Sequence, residues 1–99
     1  MSEELRQTFK VMSPQGLHAR PASLFVKIAN KYASEITVIK DSESTSGKSM
    51  MGILTLAAEQ GSDIELVIKG PDAHDAMREL GSFLSQIDHS EQNKWNQSE

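Results

Sequence analysis

The chain has 99 residues, with 14 acidic against 10 basic side chains, a formal charge of −4 and no cysteine. One domain is expected, able to bury roughly two-thirds of its unfolded surface without covalent staples. The missing thiols exclude disulfide scaffolds, thiolate zinc sites, iron–sulfur clusters and cysteine nucleophiles, and the acidic balance excludes a surface made for nucleic acid, which needs a basic excess.

The first element is expected between Thr8 and Met12, where Phe9 and Val11 alternate with polar neighbours as in a half-buried strand. Ser13-Pro14-Gln15-Gly16 then breaks the pattern with turn-forming residues. From Ala19 to Tyr32, Ala22, Phe25, Ala29 and Tyr32 recur at three- and four-residue spacing, which predicts an amphipathic helix. Glu35 to Lys40 is β-branched and reads as a strand. Asp41 to Gly47 is polar and reads either as a loop or as a short edge strand after a turn at Asp41-Ser42. Ser49 is expected to cap a short apolar helix from Met50 to about Ala57.

Gly61 leads into an alternating strand with Ile64, Leu66 and Ile68 on one face. After Gly70-Pro71, Asp72 is the expected N-cap of a long helix striped by Ala73, Ala76, Met77, Leu80, Phe83, Leu84 and Ile87. The order β-α-β-(β)-α-β-α predicts an α+β fold: one four-stranded antiparallel sheet with three helices on a single face. The domain is expected to occupy residues 1–88, with 89–99 as a polar, flexible tail. No repeat or linker interrupts it. The longest uncharged stretch, Ser49 to Ala58, is far short of the ~20 apolar residues of a membrane span. Met1-Ser2-Glu3-Glu4 lacks the basic start and apolar core of a secretory signal, so a soluble, cytoplasmic protein is expected.

One segment carries chemistry. Gly16-Leu17-His18-Ala19-Arg20-Pro21-Ala22 lies where a strand turns into the first helix. With His18 as N-cap, Pro21 falls in the first turn, where a missing amide hydrogen costs no helical bond. The free amides, the positive helix end and the forked Arg20 guanidinium then surround an imidazole with donors for an anion. A helix N-terminus and a cation both disfavour a protonated ring, which leaves an imidazole nitrogen available as a nucleophile. Spacing alone also fits a histidine that merely caps a helix.

The segment Gly16–Ala22 closely resembles the phosphorylation-site signature of the HPr family, histidine phosphocarriers of the bacterial phosphoenolpyruvate-dependent phosphotransferase system. The likeness extends to Phe25-Val26-Lys27, Ser34-Glu35-Ile36-Thr37-Val38 and Lys48-Ser49-Met50-Met51-Gly52, with matching spacings from about Thr8 to Asp88. It implies an open-faced β-sandwich, the topology already read from periodicity. It further implies that His18 accepts a phosphoryl group on Nδ1 from enzyme I, assisted by Arg20, and passes it to sugar-specific IIA proteins. Ser49 matches a serine that a dedicated kinase/phosphorylase modifies in some lineages, with a transcriptional regulator as a further partner. Lys27, Lys48, Met50 and Met51 are the expected docking residues, beside Arg20.

The resemblance implies a monomeric covalent carrier, not an autonomous enzyme, that needs no cofactor or metal. His74 and His89 lack any metal-site context. Departures from the family pattern are Gln15 near the histidine, Asp41-Ser42 in place of an Asn-Gly turn, and Gly47 where a side chain is usual. Gln15 bears on the orientation of His18, whereas Asp41-Ser42 and Gly47 predict a short or irregular third strand. Two other functions remain open at this point: a regulatory or nitrogen-type carrier whose output is signalling, and a binding module in which His18 is only a cap.

Overall fold

Alternation, capping and turn chemistry produce seven elements, and the computed structural model describes them over residues 3–14 and 16–86. They are β1 (Glu3–Lys10), α1 (Ala19–Ala29), β2 (Glu35–Lys40), β3 (Glu43–Ser46), α2 (Met50–Leu56), β4 (Asp63–Gly70) and α3 (Ala73–Gln86). The strands form one antiparallel sheet in the order β1-β4-β2-β3. The fold is the α+β sandwich expected from the sequence. Ile87, His89 and the remainder of the expected tail lie outside the described residues, as does Gln15.

The last strand in sequence therefore occupies the interior of the sheet. Ile64, Leu66 and Ile68 of β4 are each 0% exposed, opposite Phe9, Gln7 and Leu5 on one side. On the other side, Leu66 and Ile68 face Val38 and Ile36 of β2. The helices cover this face. Phe25 of α1 and Phe83 of α3 meet there with ring centroids 6.5 Å apart and planes tilted by 60°, a favourable aromatic geometry. The opposite face is wet and laced with exposed ion pairs, Lys10–Asp63 at 3.1 Å and Arg6–Glu65 at 3.4 Å. Each such pair adds little stability.

Several boundaries differ from the sequence reading. β1 starts at Glu3 instead of Thr8, because the polar run Glu4–Thr8 is held by pairing with Glu65–Lys69, not by its own burial. α1 stops at Ala29, where the Asn30 side chain donates to the Val26 carbonyl at 2.9 Å. Tyr32 thus lies beyond the helix, yet still packs on the core, and its hydroxyl donates to Glu79. That bond, burial and nearby carboxylates push the Tyr32 phenol up to about 12.

Asp72 takes its expected place before α3 but spends its side chain elsewhere. It stands at the N-cap position, its carbonyl accepting Ala76 N–H at 3.0 Å. Its carboxylate turns away from α3, however, and accepts from the amides of Ala33 and Ser34 at 2.9 Å each and from the Ser34 hydroxyl. The carboxylate clasps the α1–β2 connection, where two amides and a hydroxyl outcompete a single helix-end amide.

The uncertain polar stretch is a strand. Glu43–Ser46 pairs with Thr37–Lys40 through a two-residue turn in which Asp41 and Ser42 have φ of 51° and 75°. Two consecutive left-handed residues match the twist of a tight hairpin. The strand is short, as expected, but regularly paired. Gly47, which follows, leaves no room for a side chain: a Cβ would lie 2.5 Å from Ile36 Cγ2.

Two expectations follow from this frame. Ser42→Gly should relieve left-handed strain and raise stability by about 0.5–1 kcal/mol, a Tm gain of a few degrees by calorimetry. An unchanged Tm would mean that the turn holds no strain at that residue. Asp72 provides a pH test. The Ser34 hydroxyl first, then the Ala33 amide, holds its carboxyl below the ordinary 3.8, with burial opposing. Its contribution is therefore present above the ordinary value and lost as pH falls through the lower folded one. Urea unfolding of Asp72→Asn should give a lower stability at neutral pH and a shallower decline below about pH 4 than the parent chain.

Candidate functional site

The turn between β1 and α1 is strapped to the segment joining α2 to β4. Val11 N–H donates to the Ser62 carbonyl and Leu17 N–H to the Ala58 carbonyl, both at 2.8 Å, and Val11 O accepts Gly61 N–H at 2.8 Å. Gly16 closes a short turn by donating to Ser13 O at 2.9 Å. Its φ is +72°, and a Cβ there would fall 2.3 Å from the Ala58 oxygen and 2.8 Å from Glu59 Cα. Only glycine fits so close to the neighbouring backbone in that conformation. Leu17 drives into the core at 3% exposure. The chain arrives at His18 with little freedom left.

His18 is the N-cap of α1, with φ −87° and ψ −163°, and its carbonyl accepts Ala22 N–H at 2.9 Å. The half-buried imidazole makes no capping hydrogen bond. Ala19 and Arg20 contribute first-turn amides without intrahelical acceptors. Pro21, buried in that turn, gives up nothing by having none. Arg20 is exposed, and its guanidinium meets no acid among the described residues. A ring without a capping bond, two free amides, a positive helix end and an unpaired planar cation thus share one helix start. Such a site can bind an oxyanion and present a nitrogen nucleophile to it.

Lys27 is exposed and follows Arg20 by seven residues, two turns along the same side of α1. Ser49 is the N-cap of α2, its hydroxyl oxygen accepting Gly52 N–H at 3.0 Å. It sits at the opposite end of α2 from Ala58, a span of about 10 Å for seven helical residues. Met51 is 74% exposed, whereas Met50 packs partly against the core.

Lys48 behaves differently from a free docking cation. Its ammonium donates to the Tyr32 carbonyl at 2.6 Å, tying the segment before α2 to the end of α1. Two exposed apolar residues were not anticipated, Met12 at 46% and Leu54 at 36%. Leu54 was findable: it lies three residues after Met51, off the buried Ile53–Leu56 stripe. Among the described residues no three His, Cys, Asp or Glu side chains gather as a metal site, and no helix is long and apolar enough to cross a membrane.

The family model described as "PTS HPr component phosphorylation site" matches residues 5–86. The chain belongs to the HPr family. It is 39% identical over 89 residues to the phosphocarrier protein HPr of Treponema pallidum, covering 90% of this chain and 93% of that one. The HPr-like protein Crh of Halalkalibacterium halodurans is 46% identical over 69 residues, covering 70% and 82% respectively. The solved HPr of Thermoanaerobacter tengcongensis superimposes with a TM-score of 0.82 at 37% identity, over 84% of this chain and 93% of that one. HPr of the same organism has also been solved as a dimer, with a TM-score of 0.67 at 39% identity over 78% and 88%.

The strap makes Gly16 the most sensitive position of the HPr-family turn. Gly16→Ala should cost roughly 2–4 kcal/mol, from left-handed strain plus the clash with Ala58. Chemical denaturation measures it. A loss under 1 kcal/mol, about the cost of an ordinary surface change, would mean that the turn can lift off Ala58 freely.

Proposed function

We propose that this HPr-family chain is a phosphocarrier in which His18 receives a phosphoryl group from phospho-enzyme I and delivers it to IIA components of sugar transport. The observation that carries the reading is the imidazole of His18, left without a capping bond at the start of α1 while Arg20 stands unpaired in the same turn. In the loading step the Nδ1 lone pair attacks phosphorus, the N–P bond on enzyme I breaks, and its electron pair returns to the donor histidine. The amides of Ala19 and Arg20 and the guanidinium share the phosphoryl oxygens, and delivery is the same displacement in reverse. The chain is a covalent carrier regenerated by cytoplasmic partners. One protomer supplies every group that the transfer needs, so it works as a monomer.

Docking falls to Arg20 and Lys27 along α1 and to Met51 on α2, with Met50 partly buried beneath. Exposed methionines suit a surface that must accept several partners. Lys48 contributes by fixing the segment that carries Ser49. A kinase/phosphorylase would modify Ser49, and a phosphate there sits where α2 amides and the helix dipole accept negative charge without unfolding. A second output, signalling through a transcriptional regulator, would use the same His18 and Ser49 chemistry, and proteins named HPr-like protein Crh stand among the relatives of this chain.

The test is enzyme I-dependent labelling from phosphoenolpyruvate, read by intact mass and rapid quench. The parent chain should gain one acid-labile phosphoryl group and His18→Ala none; equal labelling of both would sink the assignment. Arg20→Lys, which keeps charge but loses the planar fork, should transfer more slowly at unchanged fold. Ser49→Asp should slow loading at low salt, with the difference shrinking as salt rises and the circular dichroism spectrum unchanged.

A further inference from the structure

The sheet has two unlike edges. β3 is four residues long and lies against α2, whereas among the described residues no strand pairs with the outer side of the eight-residue β1. A long open edge is a template for another strand. Which of its backbone groups face outward follows from the hydrogen bonds at its end. Val11 directs both N–H and C=O toward the β4 side, to Ser62 and Gly61. Strand alternation then turns Phe9, Gln7 and Leu5 inward and leaves the N–H and C=O of Glu4, Arg6, Thr8 and Lys10 pointing outward.

We infer that two copies of the chain associate reversibly by antiparallel pairing of their β1 edges about a two-fold axis through Gln7, continuing the sheet across both molecules. The charge pattern selects this register. With the axis at Gln7, every outward residue meets an outward residue: Glu4 faces Lys10 of the second copy, and Arg6 faces Thr8. Opposite charges directly across a ladder attract and like charges repel. Moving the axis by one residue sets Arg6 against Arg6, or Arg6 against Lys10. Moving it by two leaves about half of the ladder unpaired.

The other face of β1 fits the same register. Leu5 and Phe9 are half-buried beside α3, with Gly81 leaving room for the Phe9 ring. The two-fold at Gln7 brings Leu5 opposite Phe9 of the second copy, in the close non-hydrogen-bonded position. The charged ends are free to take part, because the intrachain bonds of Glu4 to Arg6 and of Lys10 to Asp63 are exposed and weak. No residue of the His18 turn or of α2 lies on this edge. The contact is smaller than a standard stable interface, so the dimer exchanges with monomer instead of replacing it.

Sedimentation equilibrium of the full chain, up to about 1 mM at low salt, tests the register. The parent chain should show a monomer–dimer equilibrium weakened by salt. Glu4→Lys and Lys10→Glu should each weaken it roughly tenfold, because symmetry places the reversed charge at two positions. The double variant Glu4→Lys/Lys10→Glu should restore the parental affinity, a rescue that a general loss of folding or charge would not give. Circular dichroism follows the fold of each. A chain that stays monomeric throughout overturns the inference. So does a dimer indifferent to both single reversals, or one that the double reversal fails to rescue.

Discussion

The interior position of β4 is the constraint on which the remainder of the molecule rests. Its three isoleucine and leucine side chains are sealed between the sheet and the helices, and both β1 and β2 find their register on it. Because β4 comes late in the chain, β1 pairs with residues some sixty positions away, and nothing local holds its polar half in place. The same geometry leaves β1 on an edge. It also brings the residues that precede β4, Ala58 to Ser62, against the turn that delivers His18. A central strand thus fixes, through its own entry loop, the position of a side chain forty-six residues before Ile64.

Polar side chains fall into two groups in this structure, and the division explains what the surface can do. Asp72 spends its carboxylate on the α1–β2 connection, Lys48 its ammonium on the Tyr32 carbonyl, and Glu79 its oxygens on Lys31 and Tyr32. The Lys31 and Tyr32 bonds hold the Glu79 carboxyl below its ordinary range, against the effect of burial. These groups tie elements together, and that is where their hydrogen-bonding capacity goes. The backbone at His18 is placed by main-chain bonds and by the burial of Leu17 and Pro21, yet the His18 ring makes no capping bond and the exposed Arg20 meets no acid among the described residues. Preorganisation by backbone with side chains held in reserve is what a transfer site requires.

The sequence revealed those parts of the fold that bury apolar residues at regular spacing. α1, β2, α2, β4 and α3 all carry such a stripe, and their existence and order were legible. The N-terminal half of β1 was not, because an edge strand gains most of its stability from a partner sixty residues distant and only Leu5 marks its inner face. β3 was ambiguous for the same reason, since Glu43-Ser44-Thr45-Ser46 has no apolar side chain at all. Asp72 and Lys48 each make a contact that the sequence did not announce. Each was assigned to a local or surface role by its position, whereas each makes a tertiary hydrogen bond to a segment that sequence spacing does not bring near. Gly16 and His18 were legible because their chemistry is local: a left-handed turn residue followed by an N-cap needs no distant information to be recognised.

The strap between the His18 turn and the end of α2 also limits how one end of α2 can influence the other. α2 is two turns long, capped by Ser49 at its start and closed by Ala57 in a left-handed conformation, with φ of 54°, at its end. Ile53 and Leu56 bury its inner side, and backbone bonds from Val11 and Leu17 hold the segment that follows. Among the described residues, the Ser49 side chain enters this body only through its bond with Gly52 N–H, apart from the packing of Ile53 and Leu56. A modification at Ser49 would therefore alter what approaches the surface through its electrostatic field, and leave the geometry of His18 as it is.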